Sequence, residues 1–255
     1  MGIGGAAIAT GIGYCIPAFV GLYFFGILKK SNLYFCKPIW DIKMLLQTCT
    51  NGSSEMVTNL ATAITTFLFN YSFMKFYGED GVASITIVLY FQFVFSAIYL
   101  GYSLGVAPVI SYKYGAGDRP QLKSIYKNSL IFLTVSSIFS YIISLIVLEP
   151  ALGVFTDKST KLFQITKDGF PIFATSFLFM GFSIFASAMF TAFSDGKVSA
   201  IISMARTFLF LAGSILLLPL LIGQLGLWIA VPLAEIAGVI FSVIFLSTKK
   251  KKYHY

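Results

Sequence analysis

Five polar residues between positions 55 and 70 are spaced so that they could form one binding surface. Steps of four, three, four and four separate them, which places side chains on one face of a helix: Glu55, Asn59, Thr62, Thr66 and Asn70. The residues between them are mostly apolar. Because a charge at a bilayer centre costs roughly 2.5–3.5 kcal/mol, we predict that Glu55 is retained to bind an ion or a substrate. A protonated, hydrogen-bonded packing residue is the alternative.

A second polar face lies on the next apolar stretch, where Gln92, Ser96, Tyr99 and Ser103 keep similar helical steps. Lipid cannot satisfy polar side chains, so such a face must meet another helix or water. We expect Gln92 to line a cavity together with the first stripe.

Two charged residues, Arg206 and Glu235, lie within later apolar stretches. Arg206 follows the turn at Lys197, and Glu235 precedes the end of the last apolar stretch. At about 1.5 Å of rise per residue, antiparallel neighbouring helices would place them at similar depths. We predict a buried ion pair, because either charge alone would be penalised. The pair could hold two helices together or take part in transport.

These residues must be positioned by long apolar helices, and the composition of the chain is that of a helical membrane protein. Of 255 residues, 57% are hydrophobic and only 11% are charged, whereas a soluble globular chain has about 25% charged residues. The apolar runs are too long for strands. The sequence therefore predicts an all-α integral membrane protein with about seven transmembrane helices.

The predicted domain layout has four parts. Residues 1–28 form a transmembrane helix, and residues 29–50 form a cytoplasmic connector with an amphipathic interfacial helix. Residues 51–248 form a six-helix transmembrane lobe, and residues 249–255 form a basic tail. Lysine and arginine concentrate in the connector, in the loop 112–127 and in the tail. The positive-inside rule predicts a cytoplasmic C-terminus, and we expect a multi-pass protein of the plasma membrane.

Several kinds of function are not expected from this sequence. The only histidine is His254, and no Ser-His-Asp set, paired catalytic carboxylates or metal-ligand spacing is found. We therefore predict no enzyme, no catalytic residue, no metal site and no cofactor. No basic patch with interleaved aromatic residues occurs in a soluble segment, so nucleic-acid binding is not expected.

Four motifs resemble the multidrug and toxic compound extrusion (MATE) family, and together they span nearly the whole chain. Two of them are Asn51-Gly-Ser-Ser-Glu-Met-Val-Thr-Asn59 and the most specific one, Gly105-Val-Ala-Pro-Val-Ile-Ser-Tyr-Lys-Tyr-Gly-Ala116. The others are Phe190-Thr-Ala-Phe-Ser-Asp-Gly-Lys197 and Gly223-Gln-Leu-Gly-Leu-Trp228, the last followed by Pro232-Leu-Ala-Glu235.

The resemblance implies an architecture of two six-helix lobes that exports cationic, amphipathic compounds against inward sodium or proton flow. It makes this chain the last helix of the first lobe plus the whole second lobe. The implied partners are a small cationic substrate, the lipid bilayer, and a missing N-terminal lobe or a second chain. Glu55 matches an acid that many members carry on the first helix of the second lobe. The acid that some members carry on the tenth helix is absent from Ile172 to Phe193, which argues against sodium coordination of that type.

We therefore predict a drug antiporter, or part of one, driven by H⁺ or Na⁺, in which Glu55 holds a proton or cation in competition with the substrate. Two other functions remain open. One is a lipid-linked oligosaccharide flippase of related architecture, although Arg206 is the only intramembrane cation available for a pyrophosphate. The other is a truncated or inactive helical membrane subunit.

Overall fold

The computed structural model describes residues 2–28, 35, 37, 40–253 and 255, and these residues form helices and connections without a strand. The predicted all-α class is confirmed. The α-helices are α1 (Gly2–Tyr23), α2 (Ile42–Tyr77), α3 (Glu79–Gly115), α4 (Arg119–Phe155), α5 (Lys161–Ala174), α6 (Phe177–Ala192), α7 (Gly196–Met204), α8 (Gly213–Ile222) and α9 (Gln224–Tyr253). Two π-helical segments accompany them: Phe24–Leu28 follows α1, and Ala205–Ala212 joins α7 to α8.

The chain forms two compact units, residues 1–45 and residues 46–255. The first unit contains α1 and its π-helical segment. The second unit contains most of α2 and all of α3 to α9, and it carries the candidate site.

Five stretches of the described chain are long and apolar enough to cross a membrane, and a sixth is added when the bent pair α5 and α6 counts as one span. The sequence predicts about seven. The difference is α2, which has 36 residues but is not among these stretches. Its polar stripe and the polar residues 47–53 lower its mean hydropathy, although its length would suffice.

α2 also changes the predicted boundary of the connector. The helix runs from Ile42 to Tyr77 without a break, so residues 42–50 continue into the polar stripe and do not form a separate interfacial helix. Hydroxyl groups bond to helix carbonyls across this junction, from Thr50 to Leu46 at 2.8 Å and from Ser53 to Thr50 at 2.7 Å. In the rest of the connector, only residues 35, 37, 40 and 41 are described.

A single glycine separates α2 from α3. Gly78 has φ of +72°, a left-handed conformation that a residue without a Cβ adopts at little cost. The chain can therefore reverse within one residue, and α3 begins at Glu79.

The α4–α5 connection is short. α4 continues to Phe155 and α5 begins at Lys161, so most of the mixed-charge segment 149–168 is helical. The Thr160 hydroxyl caps α5 by accepting a hydrogen bond from the Phe163 amide at 3.3 Å.

The apolar stretch from Pro171 to Phe193 is broken into two helices. α5 and α6 meet at residues 175 and 176 with a bend of 50°. The bend lets α5 pack against α3 and α9 while α6 continues through the centre of the unit.

α6 is the central helix of the second unit and packs against α3, α4, α7 and α9. Its sequence is mostly apolar and its only polar side chains are hydroxyls, which is typical of a helix surrounded by other helices. Phe177, Phe185 and Phe190 are buried on it. Aromatic side chains therefore contribute many of the largest buried residues around this helix.

The predicted basic tail is largely an extension of the last helix, because α9 continues to Tyr253. Tyr253 and Tyr255 are buried, and their rings stack on Phe193 with centroid distances of 4.6 and 5.7 Å. His254 lies outside the described residues. The end of α9 therefore packs against the turn between α6 and α7.

Candidate functional site

Two contacts fix the position of α2 in the second unit. At its beginning, a Cβ on Gly196 would lie 2.4 Å from the Asn51 Cα, so only glycine allows α7 to start so close to α2. At its end, the Trp228 indole donates a hydrogen bond to the Tyr77 hydroxyl at 3.2 Å. Glu55 lies one helical turn beyond Asn51 and is therefore held beside α7.

A second close approach places α3 on α6. The Tyr99 ring lies over Gly181, where a Cβ would come within 2.7 Å of it, and the Tyr99 hydroxyl donates to the Phe177 carbonyl at 3.1 Å. Ser103 follows Tyr99 by one turn of α3, and Ser183 is close to Gly181 on α6. This packing brings the two serines to the walls of one cavity.

The cavity has a volume of about 40 Å³ and lies among α2, α3, α6, α7 and the segment Ala205–Ala212. Its polar lining consists of Glu55, Thr58, Ser103, Ser183, Ser187, Ser203 and Arg206. A buried water needs roughly 10–15 Å³ by the same kind of measure. The cavity can therefore hold a few water molecules or a small group of a larger guest.

Two of the lining hydroxyls have no partner within the described residues. Ser103 and Ser183 are 2% and 1% exposed, and their Oγ atoms make no hydrogen bond there. Buried polar groups are nearly always hydrogen-bonded. These two hydroxyls therefore indicate that the cavity is a wet or ligand-binding space.

Other hydroxyls connect α6 to α7. The Ser187 Oγ lies 2.8 Å from the Ser199 Oγ and 2.9 Å from the Ser203 Oγ, and the Thr191 hydroxyl lies 2.7 Å from the Ser199 Oγ. Such interhelical hydroxyl contacts stabilise helix pairs where water is excluded. This network fixes the inner wall of the cavity.

The sequence-predicted partners Arg206 and Glu235 are in contact. The Arg206 Nη2 donates to the Glu235 Oε1 at 2.6 Å, and the Nε donates to the Oε2 at 2.9 Å. The Glu235 side chain is 4% exposed and the Arg206 side chain 16%. This two-pronged geometry is the strongest form of a carboxylate–guanidinium contact, and it neutralises both charges behind the cavity.

Glu55 is the only member of the predicted binding set that lines the cavity. It is exposed, and its carboxylate makes no salt bridge within the described part of the chain. Three others are exposed and hydrogen-bond to carbonyls one turn earlier in α2, at 2.8–3.0 Å: Asn59, Thr62 and Thr66. Asn70 and Gln92 are half-buried away from the cavity lining.

The buried face of α2 shows how the helix is placed. Ala61, Thr65, Phe69 and Phe73 follow one another every four residues and are buried. The polar stripe lies beside this buried face and is left largely uncovered by the second unit. The stripe is therefore available to water, to a guest or to another lobe.

Comparison with known protein families identifies the family to which this arrangement of helices belongs. The MatE family model matches residues 55–216, well over half of the chain. The chain belongs to the MatE family. The resemblance found in the sequence motifs is confirmed, and it places this multi-pass membrane protein in a family of transporters. Comparison with curated proteins finds no significant match.

The fold of this MatE protein is similar to solved transporter structures. One is the outward-facing conformation of a multidrug resistance MATE family transporter of the MOP superfamily, with a TM-score of 0.84 and 18% identity over 97% of this chain and 57% of that one. A variant of the Vibrio cholerae MATE transporter VcmN gives a TM-score of 0.84 and 18% identity over 99% and 57%.

A third similar structure is a MOP superfamily transporter from Pyrococcus furiosus, described as having a binding pocket of reverse polarity. It gives a TM-score of 0.82 with 18% identity over 98% of this chain and 58% of that one. At these identities the likeness shows the fold. The chain spans a little over half the length of these structures.

The serines that line the cavity of this MatE protein were not assigned from the sequence. Each belongs to a polar row at helical spacing, as Ser103 does with Gln92 on α3. Such a row shows that its members share a face. It does not show which other helix the face meets, and that information comes from packing.

Proposed function

We propose that this chain forms part of a secondary active transporter that exports cationic, amphipathic compounds and is driven by H⁺ or Na⁺. The proposal rests mainly on the exposure of Glu55 and on its lack of a charged partner in the part of the chain that the structure describes. Glu55 is an exposed acid without a salt bridge within the described residues, and it lies at the mouth of a polar cavity. Because Arg206 and Glu235 neutralise each other, an ionised Glu55 leaves this region with a net negative charge, which attracts cations.

The exchange of a substrate for a proton or coupling ion follows from their competition for the Glu55 carboxylate. A proton or coupling ion and a positively charged guest cannot both neutralise Glu55, so the arrival of one favours release of the other. Rocking of two lobes about a fixed site would then expose it alternately to each side of the membrane.

A second lobe is part of this proposal. A cavity of about 40 Å³ is far below the roughly 300–1,000 Å³ of a drug-sized pocket. The uncovered polar stripe of α2 supports the same conclusion, since it would form one wall of a larger cleft. The opposite wall would come from a missing N-terminal lobe or from a second chain.

The lysine distribution supports the orientation that we propose. With the basic loops and the end of α9 on the cytoplasmic side of the plasma membrane, the turn between α6 and α7 is also cytoplasmic. Glu55 then lies nearer to the cytoplasmic end of α2 than to its outer end.

Ethidium provides a suitable cationic probe for the test. Binding to the purified chain in detergent is measured by fluorescence anisotropy, and export is measured in cells that express the chain together with the proposed first lobe. Glu55→Gln removes one contact to a charged group, worth about 1.5 kcal/mol, so binding should weaken on the order of tenfold and coupled export should be lost.

Glu79→Gln is the matched control, because Glu79 is also an exposed acid but lies in the first turn of α3, beyond the end of α2. It should leave binding and export unchanged. If Glu55→Gln keeps full affinity and full coupling, the proposed role of Glu55 is wrong.

A further inference from the structure

The Arg206 guanidinium is only partly used by Glu235. A guanidinium has five N–H donors, and the contacts to Glu235 engage Nε and Nη2. Nη1 makes no hydrogen bond within the described residues, and Arg206 also lines the cavity. Donors therefore remain on the side of the guanidinium that is turned away from Glu235.

α9 is shaped to hold Arg206 in this position. Glu235 binds the head group, and Gly238, one turn later, leaves room for the stem. A Cβ at Gly238 would lie 3.4 Å from the Arg206 Cγ and 3.1 Å from the Ser183 Oγ. Arg206 also lies in the π-helical segment Ala205–Ala212, and such segments occur frequently at functional sites.

Few other charges surround the cavity. On α2 itself, the charged residues besides Glu55 are Lys43 and Lys75, about 18 and 30 Å away along the helix. The parts of α3 and α6 that line the cavity contribute hydroxyl and apolar groups only. The α6–α7 turn carries Asp195 and Lys197, and the end of α9 carries Lys249, Lys250 and Lys252. None of these residues lines the cavity. Arg206, with Glu235 behind it, is thus the charged group that shares the cavity with Glu55.

We propose that Arg206 is a positioning residue for cation exchange: held in place by Glu235, it lines the same cavity as Glu55 and sets how strongly Glu55 attracts a proton or a cationic guest. This inference rests on the proposed function of Glu55. It gives the ion pair a role beyond joining two helices.

The physical reason is the competition between charges that line one cavity. A fixed positive charge close to a carboxylate favours its ionised form and lowers its proton affinity. The same charge repels an incoming cation. Glu235 compensates part of the Arg206 charge, so the pair as a whole limits how strongly a cationic guest is repelled from the cavity.

The test uses two variants that should act in opposite directions. Glu235→Gln exposes Glu55 to the uncompensated charge of Arg206. Ethidium should bind more weakly, and the pH at which half of the binding is lost should fall by on the order of one unit.

The double variant Arg206→Gln/Glu235→Gln removes both charges without changing the net charge. Glu55 then loses the nearer cation, so ethidium should bind more tightly and the pH midpoint should rise. Arg206→Lys keeps the positive charge but cannot form the bidentate contact with Glu235. The pH midpoint should therefore stay close to that of the unchanged protein, even if thermal stability falls.

A direct measurement separates this inference from the proposed function. Infrared spectroscopy follows the protonated carboxyl band of Glu55 with pH, and the band is identified by its loss in Glu55→Gln. If ethidium binding does not depend on Glu55 at all, the proposed function is wrong. The infrared titration still tests whether Arg206 changes the protonation of Glu55.

The inference is overturned if neither Glu235→Gln nor the double variant moves the infrared midpoint, whatever happens to stability. Size-exclusion chromatography and thermal unfolding establish that each variant is folded. If Glu235→Gln does not fold because it leaves Arg206 unpaired, the double variant, which is neutral at both positions, decides the question alone.

Discussion

The two acids beside the cavity have the same chemistry and opposite surroundings. Glu235 is 3% exposed and is bound by Arg206 through two nitrogens. Glu55 is exposed and makes no salt bridge within the described residues. The comparison teaches that an acid in an apolar helix is not by itself a functional signal. An acid whose charge is already neutralised supports structure, whereas one left without a charged partner can bind a mobile cation.

The positions of the two helices explain this difference. α9 packs against α5, α6, α7 and α8, so a charge on its inner face needs a partner within the unit. α2 buries only the face that contains Ala61, Phe69 and Phe73. Glu55 lies next to that face, where the cavity and the outside meet.

The largest expected effect on stability concerns the buried acid. Glu235→Leu leaves the Arg206 guanidinium with its side chain only 16% exposed and without a carboxylate. We expect a loss of about 3–5 kcal/mol, measured by thermal or denaturant unfolding in detergent. The double variant Arg206→Met/Glu235→Leu should be close to the unchanged protein in stability. If the single variant is as stable as the double one, the pair is not a significant structural contact.

A smaller effect is expected at the contact that positions the other acid. Gly196→Ala places a methyl group 2.4 Å from the Asn51 Cα, so α2 must move. We expect a loss of about 1–3 kcal/mol together with weaker ethidium binding, because Glu55 moves with α2.

Gly213→Ala is the matched control, because a Cβ at Gly213 meets nothing within 4 Å. An alanine in a helix is favoured over glycine by roughly 0.5–1 kcal/mol, so this variant should be equally or more stable. Unchanged ethidium binding in a folded Gly196→Ala protein would show that the position of α2 against α7 does not determine the site.

A third acid, Asp195, is intermediate between the buried, paired Glu235 and the exposed Glu55. Asp195 caps α7 and accepts hydrogen bonds from the Tyr253 hydroxyl and Lys252 at the end of α9. Burial alone would raise the pKa of Asp195, but the hydrogen bonds from Tyr253 and the Val198 amide and the charge of Lys252 outweigh it and lower the pKa below 3.8.

The sign of the pH effect follows from this lowered pKa. Folding favours the ionised form, so the stabilisation is fully present above about pH 3.8 and is lost as the pH falls through the folded-state pKa. Asp195→Asn should cost about 1 kcal/mol at neutral pH and should make the fall in melting temperature below pH 4 shallower. This expectation would be contradicted if the melting temperature of the variant fell with decreasing pH in the same way as that of the unchanged protein.

The smallest expected change in stability belongs to Glu55. Because its carboxylate is exposed and has no charged partner within the described residues, Glu55→Gln should alter the free energy of unfolding by no more than about 0.5 kcal/mol. A loss comparable to that of Glu235→Leu would instead support the alternative stated from the sequence, namely that Glu55 is a packing residue.

Local periodicity could predict which residues share a helix face. The steps that join Glu55 to Asn70 identify the stripe, and the depth of Arg206 and Glu235 in their helices anticipates that they can meet. The MATE resemblance was also contained in short motifs. These properties depend on the 3.6-residue repeat and on the cost of burying charge, and both act on the sequence directly.

Tertiary packing decided what the sequence left open. The break at residues 175 and 176, the burial of Tyr253 and Tyr255, and the cavity that unites Glu55 with Ser103 and Arg206 all depend on contacts between distant segments. A polar row indicates a face but not its neighbour, because the neighbour is chosen by close approaches such as Gly196 against Asn51 and Gly181 against Tyr99. The sequence by itself determined the helical class, the polar faces and the family. Only the folded structure determined that one acid is neutralised and the other remains available, since the charge that an acid feels is set by the helices packed around it.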